Sequence, residues 1–188
     1  MSRVAIVYHS AFGRTRSLAE AVLAGVESQP GSHGCLIAVE QVPEHWDELH
    51  RADAIIFGAP TCMGSLSAPF RGFMDATAAF YLAQPWRDKL AAGFTHADSL
   101  SGDTLNSLLQ LAVFASQHGM IWVGLGLLPG TGGEGSSLNR LGCSLGAMAQ
   151  SLPEHSLQAA LALADRRTAA CLGQRVAQIA VRLRPDPD

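Results

Sequence analysis

Val4-Ala-Ile-Val-Tyr-His9 is an apolar run that gives way abruptly to Ser10-Ala-Phe-Gly-Arg-Thr15, and a helical pattern starts near Thr15. A strand that is apolar at successive positions needs cover on both faces, which a parallel sheet flanked by helices supplies. The turn after it carries two hydroxyls and a glycine into a helix N-terminus. There, orphan amide donors and the positive end of the helix dipole meet. Such a junction suits an anion, and its natural guest is a phosphate. An ordinary N-cap turn, with Ser10 and Thr15 satisfying amides, is the alternative reading.

The same alternation continues along the chain. A helix is predicted over 15–28, with Leu18, Ala21, Val22 and Val26 at helical spacing, ending at Pro30-Gly31-Ser32. Residues 35–39 read as a second strand, 43–50 as a short polar segment of one or two helical turns, and 54–58 as a third, β-branched strand. A helix over 68–80 would set Phe70, Phe73, Met74 and Thr77 on one side. Residues 90–95 form a fourth, less apolar strand. The helix predicted over 103–118 has a stripe of Leu105, Leu108, Leu109, Ala112 and Val113, with Gly119 placed to cap it. Residues 120–124 are the fifth strand, and a last helix covers about 156–183. Five strands with helical crossovers predict an α/β, doubly wound parallel sheet with helices on both faces. Ligands of such sheets gather beyond the carboxyl ends of the strands. Three loops there, 10–15, 59–68 and 95–103, are rich in polar and small residues, and the functional reading depends on their meeting.

With 188 residues, the chain is read as one domain over 1–188, with a glycine-rich loop insertion over 124–155 after strand five. A chain of this size buries roughly 70% of its unfolded surface and needs no staples. A formal charge of −3 leaves no basic footprint for nucleic acid. No apolar run is long enough for a bilayer span, and no leader precedes the first strand, so a cytoplasmic protein is expected. Cys35, Cys62, Cys143 and Cys171 lack C-x-x-C spacing and read as free thiols, Cys35 and Cys171 in the core. The histidines His9, His33, His45, His50, His96 and His155 show no metal-ligand spacing.

Elimination narrows the first loop. It is not G-x-x-x-x-G-K-[ST], and the chain's single lysine is Lys89, which argues against a triphosphate site. Nor is it G-x-G-x-x-G, the pattern a pyrophosphate would call for. A hydroxyl-rich turn ahead of a helix suits one terminal phosphate. Gly130-Thr-Gly-Gly-Glu-Gly135 does satisfy G-x-G-x-x-G, but no βαβ unit surrounds it, and a surface or interface loop is the better reading.

Taken together, Ser10-Ala-Phe-Gly-Arg-Thr15, Pro60-Thr-Cys-Met-Gly-Ser65 with Phe70-Arg-Gly-Phe-Met-Asp75, and His118-Gly-Met120 resemble the flavodoxin-like family. Within it, they are similar to the WrbA-type NAD(P)H:quinone oxidoreductases, over nearly the whole chain. The resemblance implies FMN as cofactor, NAD(P)H as co-substrate and a quinone-like acceptor. It implies that Ser10, Phe12, Gly13, Arg14 and Thr15 hold the FMN phosphate, and that Pro60, Thr61, Cys62, Met63, Gly64 and Ser65 line the flavin ring. Thr95, His96, Ala97 and the following loop would flank the ribityl chain and ring, and His118 would stand near flavin or substrate as a candidate proton donor. A helix-end histidine satisfying carbonyls is the other reading of His118. Tyr81 falls where relatives often carry a tryptophan at a subunit contact, which implies a homodimer or homotetramer. The chain departs from the family pattern in its third loop, where Thr95-His-Ala-Asp-Ser-Leu-Ser-Gly-Asp103 replaces small, glycine-rich residues. A flavodoxin-type electron carrier and a flavin-binding regulator with little turnover are the competing classes. Residues 59–66 and 95–103 contain no aromatic side chain to bracket the ring, which favours an enzyme.

Overall fold

The computed structural model describes residues 1–100, 102–131, 137–151 and 162–184. The chain begins with β1 (Ser2–Tyr8), α1 (Arg14–Glu27), β2 (Ser32–Ala38), a 3₁₀ segment (Val39–Glu44) and α2 (Trp46–Arg51). Next, β3 (Ala54–Cys62) folds back on the two-residue β4 (Ser65–Leu66) before α3 (Ala68–Ala76), which tightens into a 3₁₀ turn (Thr77–Phe80). The remaining elements are β5 (Leu90–Ala97), α4 (Thr104–Gln117), β6 (Ile121–Trp122), β7 (Ala147–Gln150) and α5 (Leu163–Leu183).

The sheet runs β2-β1-β3-β5-β6, with every pairing along this path parallel. This is the doubly wound arrangement expected from the alternation of strands and helices, in the five-stranded order 2-1-3-4-5 that the flavodoxin-like resemblance implies. β1 shows why its apolar run is unbroken. Val4, Ile6 and Tyr8 join a core with Leu18 and Val22 of α1 and Leu172 and Val176 of α5. Ala5 and Val7 face the other layer, with Phe57, Phe70, Phe73, Leu108 and Phe114. Phe57 is fully buried there among Phe70, Phe73, Trp86 and Phe114, so truncating it to alanine would cost about 3–5 kcal/mol. α1 and α5 approach so closely that a β-carbon on Gly25 would lie 1.9 Å from the Ala170 carbonyl oxygen, and one on Gly173 2.1 Å from that of Val22.

Several expectations change. The fifth strand position is split. Ile121–Trp122 pairs with Leu90 and Ala91, and Ala147–Gln150 pairs with Phe94 to Ala97 further along the same edge. The glycine-rich stretch therefore interrupts the edge strand, and residues read as loop insertion supply its second half. β5 extends to Ala97 and is buried at all eight positions, so its small residues reflect tight packing and not exposure. α4 carries apolar residues on two faces. The sheet takes Leu108, Leu111, Phe114 and Ala115, while Leu105, Leu109 and Val113 face solvent, contrary to the stripe drawn from sequence. Cys35 and Cys171 are only half-buried. Most of the G-x-G-x-x-G match and the start of the last predicted helix lie outside the described residues. No helix among the described residues is long and apolar enough to cross a membrane.

Candidate functional site

Because β1, β3 and β5 are parallel, the loops that follow them leave the same edge of the sheet. Tyr8 pairs with Gly58 and Pro60 with His96, which brings three sequence-distant loops into register. They enclose a cavity of about 130 Å³ lined by His9, Ser10, Ala11, Phe12, Arg14, Thr15, Pro60, Thr61, Cys62, His96, Ala97 and Asp98. Nine of the residues singled out from sequence are therefore lining residues. Gly13 belongs to the first loop, and Thr95 lies fully buried beneath the second. Met63, Gly64 and Ser65 extend past the cavity on a hairpin.

Gly13 adopts a left-handed conformation (φ 78°) that turns the chain from loop into α1. The first bond of the helix runs from the Ser17 amide to the Gly13 carbonyl at 3.0 Å. Ser10 Oγ accepts the Arg16 amide at 3.1 Å. The amides between them are the orphan donors of a helix start, gathered at the cavity. Ser10 thus does satisfy an amide, as the alternative reading of this turn holds. Thr15 does something else. Its Oγ1 lies 3.1 Å from His96 Nδ1, in a buried contact that ties the first loop to the third.

Burial pushes the His96 imidazole down to about 4, with Arg14 lowering it further and Asp98 opposing. His96 is therefore neutral near pH 7 and brings no charge to the cavity. In the Nδ1–H tautomer it donates to Thr15 Oγ1, which leaves the threonine hydrogen free for a ligand oxygen. Arg14 and Asp98 are the lining residues with a fixed charge. Arg14 Nη1 lies 2.5 Å from Asp98 Oδ1, while Arg14 Nε is buried without a partner among the described residues.

The second loop is a two-residue hairpin. Cys62 pairs with Ser65, and Met63 (φ 50°) and Gly64 (φ 76°) both have the positive φ of a primed turn. A methionine held in that region is strained, and Met63 is fully exposed at the tip. The hairpin is anchored to α4. Thr61 Oγ1 lies 2.8 Å from both Thr95 Oγ1 and Ser107 Oγ. Asn106 Nδ2 donates to the Gly64 carbonyl at 2.7 Å, and Ser65 Oγ donates to Gln110 Oε1 at 3.0 Å. On the cavity's other flank, His9 Nδ1 lies 2.8 Å from Ser67 Oγ. Ser107, Asn106 and His9 escape a reading of the sequence because their partners are far away in the chain, whereas Asp98 falls in the loop after Ala97 that the resemblance already sets beside the flavin.

His118 does not join this site within one chain. It ends α4 at the amino edge of the sheet, where the Gly119 carbonyl accepts the Asp88 amide at 2.9 Å. Its Nε2 lies 2.8 Å from Thr77 Oγ1, and its ring packs on Trp86 and Phe114. Burial lowers its pKa, and its Nδ1 has no partner among the described residues. A larger cavity of about 460 Å³, lined by Met74, Asp75, Tyr81 and Gln117 among others, lies beside it.

The residues at the carboxyl edge fit a phosphate monoester. A helix start with orphan amides, the Thr15 hydroxyl and a guanidinium with an unpartnered, buried Nε form one donor set on one cavity. Comparison with known proteins points the same way. Residues 4–129 match the family described as NADPH-dependent FMN reductase. The chain is 39% identical over 189 residues to Flavodoxin FldP of Pseudomonas aeruginosa, covering 97% of this chain and 99% of that protein. It is 29% identical over 209 residues to an NAD(P)H dehydrogenase (quinone) of Archaeoglobus fulgidus, covering 97% and 100%. The crystal structure of a WrbA-like flavodoxin from Agrobacterium tumefaciens superimposes with a TM-score of 0.77 at 37% identity, covering 98% of this chain and 100% of that one.

Proposed function

This chain belongs to the NADPH-dependent FMN reductase family, and from that premise we propose that it is a flavoprotein oxidoreductase acting between NAD(P)H and a quinone-like acceptor. The observation that carries the proposal is the meeting of three loops around unsatisfied anion donors. FMN, when bound, supplies hydride acceptance from a reduced nicotinamide and two-electron donation to the acceptor. The chain's own work is to bind and orient. Ser10 shapes the first loop through the Arg16 amide. The amides of residues 11–15, Thr15 and Arg14 take the phosphate. Thr61, held by Thr95 and Ser107, fixes the start of the hairpin that carries Cys62 and Met63. His96 aligns Thr15 and stays neutral. No aromatic side chain in 59–66 or 95–103 covers the ring, which leaves a face open to nicotinamide and acceptor. His118 has no part in this reading.

The test is anaerobic mixing of the FMN-loaded protein with NADH or NADPH and then benzoquinone. Bleaching of the flavin absorbance by the nicotinamide and its recovery on adding quinone are expected. The 39% identity to a protein named a flavodoxin favours a second reading, an electron carrier. Flavin uptake without nicotinamide-driven bleaching would select it. The proposal includes self-association, supported by the exposed Leu105, Leu109 and Val113 along α4 and by the half-exposed Tyr81. A clean monomer in light scattering at micromolar concentration would remove that part.

A further inference from the structure

We propose that Asp98 is a built-in competitor for the flavin phosphate, holding Arg14 in the free protein and making FMN an exchangeable ligand of this chain. The inference rests on reading Arg14 as a phosphate ligand. Asp98 immediately follows the last residue of β5, and its Oδ1 meets Arg14 Nη1 at 2.5 Å across the cavity. The two partners are unequal. The Asp98 side chain is 74% exposed, whereas that of Arg14 is 26% exposed and anchored at the head of α1. An exposed carboxylate gives up such a pair at small cost, because water solvates it once released. A phosphate makes stronger, charge-assisted bonds to a guanidinium and can also engage the helix amides, which Asp98 leaves to other partners.

Displacement does not remove the carboxylate from the site. Asp98 stays tethered to the end of β5 and presents a negative charge to a ligand that is itself negative. Among the residues lining the cavity, no second fixed positive charge offsets it. Asp98 therefore acts twice, as a rival for Arg14 before binding and as a repelling neighbour after it. Both effects depend on the ligand's phosphate and neither on its ring. A chain that keeps such a residue is built to release and retake FMN.

The test uses the full chain, freed of flavin, titrated with FMN and with riboflavin, which has the same ring and no phosphate. Quenching of flavin fluorescence reports the affinity, so turnover is not needed. Relative to wild type, D98N is expected to bind FMN about 3- to 10-fold more tightly and riboflavin equally well. D98S serves as a second variant, and at so exposed a position neither change threatens the fold. In an R14Q background the D98N gain should shrink to the part that comes from relieved repulsion, since the rivalry needs Arg14. Unchanged or weaker FMN binding by both Asp98 variants, with the wild-type preference for FMN over riboflavin intact, would overturn the competitor and make Asp98 a brace. A wild-type protein with no such preference would overturn the phosphate-site reading itself, and the competitor with it.

Discussion

His96 and His118 are alike in their immediate surroundings and opposite in what those surroundings adjoin. Both are buried, and each lies against a threonine hydroxyl, Thr15 at 3.1 Å and Thr77 at 2.8 Å. Burial lowers the pKa of both. His96 stands at the carboxyl edge of the sheet, where its threonine heads a helix and Arg14 and Asp98 bring charge. His118 stands at the amino edge, where its neighbours are the rings of Phe80, Trp86 and Phe114. The cavity at the His118 end is the larger, about 460 Å³ against 130 Å³. What sets the proposed phosphate site apart is therefore neither volume nor a buried histidine but convergent donors at the end of parallel strands.

The widest effect expected is on stability against pH. The His96 pKa is about 4 in the folded chain and 6.5 ordinarily. Between those values the unfolded chain binds a proton that the folded one refuses, so the His96 contribution is complete above pH 6.5 and is lost as the pH falls to 4. The loss amounts to about 3 kcal/mol. His118 acts in the same direction, so urea midpoints of H96Q should keep a residual slope in this window. A slope equal to that of wild type would mean that His96 is not the main contributor.

Arg14→Gln comes next. Losing a charge-assisted partner of the phosphate costs about 1.5–3 kcal/mol, or roughly 10- to 100-fold in FMN affinity. Riboflavin binding should change little, and an equal loss for both flavins would place Arg14 elsewhere in the site. The sharpest comparison sets Thr15→Val against Thr77→Val. Each leaves a buried imidazole short of a partner, so each should cost about 1–2 kcal/mol of stability in denaturant titrations. Only T15V should also weaken FMN, by about fivefold, or about 1 kcal/mol. FMN affinity lost equally in T77V would join the two ends that the fold keeps apart.

What could be read in advance follows the range of the interactions involved. The strands at β1 and β3 are continuous apolar runs, and the hydroxyl- and glycine-bearing turn at 10–15 is a local signal, so the sheet and the first loop were legible. The edge strand Ala147–Gln150 was not. It has no β-branched residue, and pairing with Phe94 to Ala97 decides its conformation. The α4 face was misread because Leu105, Leu109 and Val113 continue the same apolar pattern as Leu108 and Leu111, and only the packed sheet chooses between them. The contacts that build the site span 81 residues from Thr15 to His96 and 84 from Arg14 to Asp98. No spacing rule reaches that far. The separation of His118 from the three loops within one chain has a related reason. The histidine's motif precedes a strand, and the residue before a parallel strand lies at the edge opposite the ligand loops.

The most direct test of phosphate-anchored flavin at the carboxyl edge is an amide chemical-shift titration of the ¹⁵N-labelled, flavin-free protein with FMN. We expect the amides of residues 11–15, 61–64 and 95–98 to shift together, while those of Thr77, His118 and Gly119 stay in place. Shifts centred on His118 and Thr77, with the three loops unmoved, would contradict it.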